Sequence, residues 1–153
     1  MFTTGIYSGL RVSDILKLRV KDVRGKDYIA MREKKTKKEK RFIINKNLKK
    51  ILEVWTRGKD DLQYLLENPA THRPISRQRA WEVMRKAGEE FGVYNLGTHT
   101  MRKTFGYHMY QATHDAVMLM KLFNHSDIHV TLRYIGVEQD ETDQAISKLD
   151  FGV

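Results

Sequence analysis

Apolar positions fall at helical spacing along most of this chain and at strand spacing in a smaller part of it. The opening MFTTGIYSGLRV is apolar and punctuated by glycine, which predicts the end of a buried helix and a tight turn at Ser8 and Gly9. Leu10, Ile15, Leu16 and Leu18 follow as a short amphipathic helix opened by Ser13 and Asp14. Two β-like runs, Tyr28 to Met31 and Phe42 to Ile44, flank the segment Arg32 to Arg41 and predict a hairpin. Asn45 to Arg57 reads as a helix with Leu48, Ile51, Leu52 and Trp55 on one face and Gly58 at its C-terminal cap. Asp61 to Glu67 reads as a short strand or extended piece, and Asn68 to Pro74 as a loop. Ser76 opens another helix, with Trp81, Met84, Ala87 and Phe91 as its buried stripe and Gly92 as its stop.

The remainder is more helical still. After a loop at Tyr94 to Gly97, Thr98 caps a helix in which His99 and Arg102, three residues apart, share one face. Phe105, His108 and Met109 are expected to point inward, and Gly106 to mark a close approach. Asp115 to Phe123, with Val117, Leu119, Met120 and Leu122, is apolar enough to be core. The stretch LFNHSDIHVTLRYIG, from Leu122 to Gly136, then needs a break. Ser126 as N-cap, with Asp127 in the first turn, puts His125 just outside a helix running to Ile135. Tyr134 lies nine residues beyond His125, about two and a half turns, so one unbroken helix would point the two to opposite sides. A bend at Ser126 lets them converge. Glu138 to Leu149 is a last amphipathic helix whose face of Ala145, Ile146 and Leu149 packs at home or on a neighbour. The sum is an α+β fold, mostly helical, with a small antiparallel hairpin on one side.

Charge sharpens this outline. A length of 153 residues suits one domain with one good core, and 28 Lys and Arg against 19 Asp and Glu leave a net charge of +9. Such a balance favours a polyanionic partner, nucleic acid ahead of an anionic membrane, since no long basic amphipathic helix is present. The hairpin tip, REKKTKKEKR, carries a local charge of +5 and suits a phosphate backbone, although most of its lysines read simply as a solvated loop. No apolar run approaches the ~20 residues of a membrane span, and no signal-peptide pattern opens the chain. The absence of cysteine excludes disulfides and thiolate metal sites and fits a reducing, cytoplasmic setting.

Taken singly, Arg11 is a solvated arginine and Tyr134 a tyrosine at the end of a core helix. Taken together, Arg11, Arg102, a hairpin lysine, two histidines and Tyr134 suit attack on a phosphodiester. A phenol of pKa near ~10 is a weak nucleophile at neutral pH, and the leaving 5′-oxygen is a poorer alkoxide still. The reaction needs charge stabilisation on the non-bridging oxygens, removal of the phenolic proton and an acid for the leaving group. Guanidinium forks supply the first. A histidine serves the second or shares the first. A lysine whose pKa is lowered by neighbouring arginines serves the third. His125 and His129 are four apart but lack the HExxH pattern, so no zinc site is expected, and His72, His108, His114 and His129 read as surface or core residues. There is no G-x-S-x-G serine motif either.

Four segments in order give the chain a family likeness. YSGLRVSDILKL (Tyr7 to Leu18) is similar to the T-G-L-R-x-S-E-L-x-x-L segment of the tyrosine recombinases, the phage-integrase family. EKKTKKEKR resembles that family's hairpin K-T-x-x-x-x-R, HTMRKTF (His99 to Phe105) its H-x-x-R box, and FNHSDIHVTLRYI its L-G-H-x-S-x-x-T-T-x-x-Y segment. The resemblance spans nearly the full length. It implies that Arg11 and Arg102 are catalytic arginines with Asp14 as buttress, that His99 partners Arg102, and that His125 takes the His/Trp position. Lys35 becomes the general acid, with Lys34 or Lys37 if the turn register slips, and Tyr134 becomes the nucleophile. Asn124 departs from the usual Gly and Met101 from the usual Leu.

The fold implied is that of DNA breaking-rejoining enzymes, and the function implied is integration or excision of mobile DNA through a 3′-phosphotyrosyl intermediate. The expected partner is double-stranded DNA, with a homotetramer on DNA and a monomer or weak oligomer without it; neither cofactor nor metal is expected. Family members carry more helix before Arg11 and a separate N-terminal DNA-binding domain, so residues 1–153 are expected to be a catalytic domain trimmed at its front. The rival expectations are DNA relaxation of the type IB topoisomerase kind, and a non-catalytic DNA-binding module that keeps the fold.

Overall fold

A left-handed glycine ends the first helix and turns the chain toward the second. In the computed structural model, which describes residues 1–32 and 39–150 and only the backbone at 140 and 141, α1 (Phe2–Ser8) stops at Gly9 with φ 63°. That conformation is cheap only for glycine. Ser8 Oγ donates to Thr4 O at 2.5 Å and accepts from Leu10 N at 3.3 Å, so the buried hydroxyl is satisfied and the turn is held. The chain divides into two compact units, Met1–Arg102 and the part from Lys103 onward.

The first unit continues with α2 (Val12–Ile15), a 3-10 turn at Val20–Asp22, and the antiparallel pair β1 (Tyr28–Arg32) and β2 (Glu39–Ile43). The register runs from Tyr28 opposite Ile43 to Arg32 opposite Glu39. The expected hairpin strands are therefore present, and Lys34, Lys35 and Lys37 lie outside the described residues. Lys49 Nζ meets Asp27 at 2.8 Å near the open end of this pair, and the contact holds the Asp27 carboxyl below and the Lys49 ammonium above their ordinary pKa values. Then come α3 (Lys46–Thr56), a two-residue antiparallel pair β3 (Glu67–Asn68) and β4 (Arg73–Pro74), and α4 (Arg77–Glu90). Asn45 and Ser76 cap α3 and α4, their side chains accepting from Leu48 N and Arg79 N. Two apolar clusters fill the unit. Leu10, Ile15, Leu18, Ile29, Leu48 and Leu65 belong to one; Val12, Leu16, Ala80, Met84 and Met101 form the other.

Several sequence expectations shift here. Helix α2 begins at Val12, with Arg11 and not Ser13 or Asp14 at its cap. The stretch Asp61 to Glu67 is mostly turn, with a single bridge of Tyr64 to Arg19, and a strand begins only at Glu67. The buried stripe of α3 is Leu48, Leu52 and Thr56, while Ile51 and Trp55 are exposed. Trp55 lies along the surface, its indole N–H donating to Leu65 O at 2.8 Å. The buried stripe of α4 is Ala80, Met84 and Gly88, and Trp81, Ala87 and Phe91 stay out. The helix packs through its small residues: a Cβ on Gly88 would lie 2.5 Å from Val93 O. Reading large apolar residues as the core misses such a face.

Helix α5 (Thr100–Thr113) contains the division between the units, and α6 (Ala116–Phe123), α7 (Ile128–Ile135) and α8 (Val137–Ser147) complete the second. Its core is Leu119, Phe123, Ile135 and Val137, with Phe105, Met109, Leu132 and Tyr134 packed against it. Helix α5 starts at Thr100 rather than at a Thr98 cap, and His108 is exposed instead of inward. Val117, expected in the core, is also exposed. Ile146 and Leu149 keep their apolar surface exposed. No helix among the described residues is long and apolar enough to cross a membrane.

Gly106 marks the close approach expected of it. A Cβ there would lie 2.6 Å from Ile135 Cγ2 and 2.8 Å from the Phe123 ring, both in the buried core. Gly106→Ala should therefore destabilise the protein by about 1–3 kcal/mol despite alanine's better helix propensity. Urea unfolding measures it; an unchanged or raised midpoint would show that α5 and α7 are not packed this closely.

Candidate active site

Arg11 is pinned on both sides by burial. Leu10 and Val12 belong to different apolar clusters of the first unit, so the backbone between them has little freedom while the Arg11 side chain is exposed. Arg11 has extended backbone angles, and its carbonyl accepts from Asp14 N at 2.8 Å and Ile15 N at 3.0 Å to start α2. The guanidinium thus leaves the chain from a fixed point.

Arg102 reaches the same region from α5. It is 5% exposed, an unusual degree of burial for an arginine. Its Nη1 donates to Gly9 O, the carbonyl of the turn two residues before Arg11. Met101 beside it is fully buried and occupies the space that a Cβ on Gly5 would take, with Sδ 2.6 Å away. The departure from leucine at Met101 is accommodated by that glycine. His99 precedes α5 and is exposed. Arg11, Ser13, Arg77, Thr98, His99 and Arg102 together line a small recess of about 40 Å³. Three of the six expected site residues therefore meet in the first unit. Arg77, the first residue of α4, joins them. Its only sequence signal was its position one residue after the Ser76 cap.

His125 and Tyr134 meet in the second unit. Asn124 ends α6 with φ 58°, a left-handed cap that asparagine tolerates, so it does the work of the glycine usual at this place. The bend expected at Ser126 is present, but the cap of α7 is Asp127, whose carboxylate accepts from His129 N at 2.7 Å. Asp127 stands where the recombinase segment has its serine, a match that the adjacent Ser126 obscures. His125 and Tyr134 ring centroids lie 5.2 Å apart in an edge-on arrangement, and Phe123 lies 5.4 Å from the first and 5.7 Å from the second. Lys103 Nζ stands 5.6 Å from the Tyr134 ring centroid.

Thr131, which the sequence did not single out, orients the histidine. It is fully buried; its Oγ1 donates to Asp127 O at 3.2 Å and lies 3.1 Å from His125 Nδ1. One hydroxyl carries one hydrogen. With that hydrogen directed to Asp127 O, the Nδ1–H tautomer of His125 completes both contacts. The TxxY spacing within VTLRY was the signal that could have found it.

Lys35, the sixth expected site residue, lies outside the described residues, as do its alternatives Lys34 and Lys37. Among the described residues no group of three His, Asp or Glu side chains is arranged to hold a metal ion. The arrangement seen is an arginine-rich recess suited to a phosphate and, in the second unit, a tyrosine beside an oriented imidazole.

Comparison with known proteins bears on the family and the fold. A family model described as the phage integrase family matches residues 1–141. The chain is 44% identical over 142 residues to the probable integrase/recombinase YoeC of Bacillus subtilis, covering 93% of this chain and 78% of that one. It is 28% identical over 147 residues to a tyrosine recombinase of Pseudothermotoga lettingae, covering 94% of this chain but 50% of that one. Among solved structures it resembles the XerH site-specific recombinase bound to its difH substrate, with TM-score 0.69 and 17% identity over 97% of this chain and 46% of that one. At that identity the likeness concerns the fold. The chain thus spans about half the length of these last two proteins.

The orientation of His125 is directly testable. Thr131→Val keeps the buried volume and removes the hydroxyl. We expect a loss of about 1 kcal/mol in stability, and a shift of the neutral imidazole away from the Nδ1–H tautomer in 15N spectra. An unchanged tautomer would mean that Thr131 does not set it.

Proposed function

Because this chain belongs to the phage integrase family, we propose that it is the part of a tyrosine recombinase that breaks and rejoins DNA during site-specific recombination. The observation that carries the reading is the recess in which Arg11, His99 and Arg102 stand together, with Arg102 buried and tied to the turn that delivers Arg11. Guanidinium groups on fixed backbone stabilise charge that develops on phosphate oxygens without reorganising.

In the proposed reaction, Tyr134 Oη attacks a backbone phosphorus and the bond to the 5′-oxygen breaks. A 3′-phosphotyrosyl link forms. A histidine, His99 or His125, takes up the phenolic proton, and Lys35 gives a proton to the leaving 5′-oxygen. The 5′-hydroxyl of another strand then reverses the step. The phosphodiester energy is kept in the tyrosyl link, so the exchange needs no nucleotide hydrolysis. Double-stranded DNA is the partner, with a homotetramer forming on it and the free protein a monomer or weak oligomer. The work is done in the cytoplasm, where that DNA lies. Family membership supports strand exchange over the relaxation expected of a topoisomerase.

Incubating the protein with a pool of nicked duplexes of random sequence and collecting SDS-stable adducts tests the reading. The wild type should form adducts and Tyr134→Phe should form none. Arg11→Ala should slow adduct formation about 10²- to 10³-fold, the usual cost of losing one preorganised charge-stabilising donor. Adducts that persist in Tyr134→Phe would remove Tyr134 from its role, and salt-dependent binding without adducts would favour a non-catalytic DNA-binding module.

A further inference from the structure

We propose that Arg77 is a third phosphate ligand of this site, holding a DNA backbone phosphate in the recess it shares with Arg11 and Arg102. The inference rests on the phosphate-binding reading above and adds a residue to it.

Three guanidinium groups and a histidine line that recess, and none of the described residues lining it is a carboxylate. Like charges gathered on one small surface repel one another, so such a cluster is most stable with an anion among them. The other two arginines of α4 show how this helix treats a cation that has no such role. Arg79 pairs with Glu82 at 3.1 Å and Arg85 with Glu89 at 2.8 Å, each with an acidic residue three or four positions along the same helix. Arg77 makes no ion pair with any described residue and lies at the first position of α4, beyond the Ser76 cap. Residues 80 and 81, at the same three- and four-residue spacing from it, are Ala and Trp. The helix therefore offers this cation no internal partner and directs it to the recess.

A phosphodiester has two non-bridging oxygens, which two arginine forks satisfy. A third arginine at the same recess suits either a further contact to the reacting phosphate or the phosphate next to it on the strand. Both are DNA backbone phosphates, and the two are separated by neutralising one phosphate at a time.

The first measurement is equilibrium binding of the protein to a random-sequence duplex over a range of salt. Arg77→Ala should bind about tenfold or more weakly, and its logarithmic salt slope should fall by about 0.9, the loss of one phosphate contact. Arg77→Lys should restore the slope, because it restores the charge. Equal melting temperatures of variant and wild type would exclude misfolding, as expected for an exposed residue in a first turn.

The second measurement uses a nicked duplex recovered from the adduct pool, with a single methylphosphonate at the reacting phosphate or at either neighbour. At the phosphate that Arg77 holds, neutralisation should cost the wild type about tenfold in affinity and cost Arg77→Ala nothing further; which position shows this identifies the ligand. Unchanged affinity and slope in Arg77→Ala, or losses that multiply at all three positions, would overturn the proposal. Absence of wild-type adducts would count against the Tyr134 reading alone, because the salt-slope measurement judges Arg77 without cleavage.

Discussion

The hydrogen bond from the Arg102 guanidinium to the Gly9 carbonyl joins the two parts of the chain on which the arginine site depends. A buried charged group is costly unless hydrogen bonds compensate it, and this carbonyl, at a turn held by the Ser8 hydroxyl, provides one such bond. The carbonyl can face Arg102 only because Gly9 adopts a left-handed conformation. Beyond the turn, Leu10 and Val12 enter separate apolar clusters and leave Arg11 between them. On the other side, Met101 locks the start of α5 against Gly5. A single backbone carbonyl thus fixes one arginine and lies two residues from the other, which is how residues 91 positions apart come to line one recess.

The second unit solves a different problem, that of holding an aromatic alcohol and an imidazole close without freezing them into one helix. Asn124 stops α6, Asp127 restarts the chain as α7, and the three residues from Asn124 to Ser126 carry His125 across the gap. Phe123 backs both rings and is itself fully buried, against the surface that Gly106 leaves clear. Thr131 then decides which imidazole nitrogen is spent on the protein. The packing is apolar, yet its effect is chemical: it keeps the Tyr134 ring beside an oriented imidazole.

Much of this was legible in the sequence. Glycine after serine at residue 9 and serine at 76 act through local backbone chemistry, and each stands where local reasoning puts it, while Asn45, read as the first helical residue, is the cap before it. The bend between His125 and Tyr134 followed from helical geometry alone. What escaped depends on tertiary packing. The buried faces of α3 and α4 include Thr56, Ala80 and Gly88 beside Leu48, Leu52 and Met84, and hydropathy does not select Thr56 or Gly88, the latter buried where the loop at Val93 and Leu96 folds back on it. The cap of α7 was misplaced by one residue because Ser126 and Asp127 are both competent caps. Arg77 escaped because a solvated arginine carries no local mark of a partner distant in the chain, whereas Thr131 was marked by its TxxY spacing to Tyr134 and by partners only four and six residues away. The hairpin lysine was legible only as a choice among Lys34, Lys35 and Lys37, and that segment lies outside the described residues.

The proposed chemistry turns on one covalent bond, from Tyr134 to a 3′-phosphate of DNA. Peptide mass spectrometry on the nuclease-trimmed adduct reads that bond itself. The expected product is a nucleotide attached to Tyr134 through its 3′-phosphate, with the other six tyrosines unmodified. A nucleotide on another residue, or a link through a 5′-phosphate, would contradict the proposal.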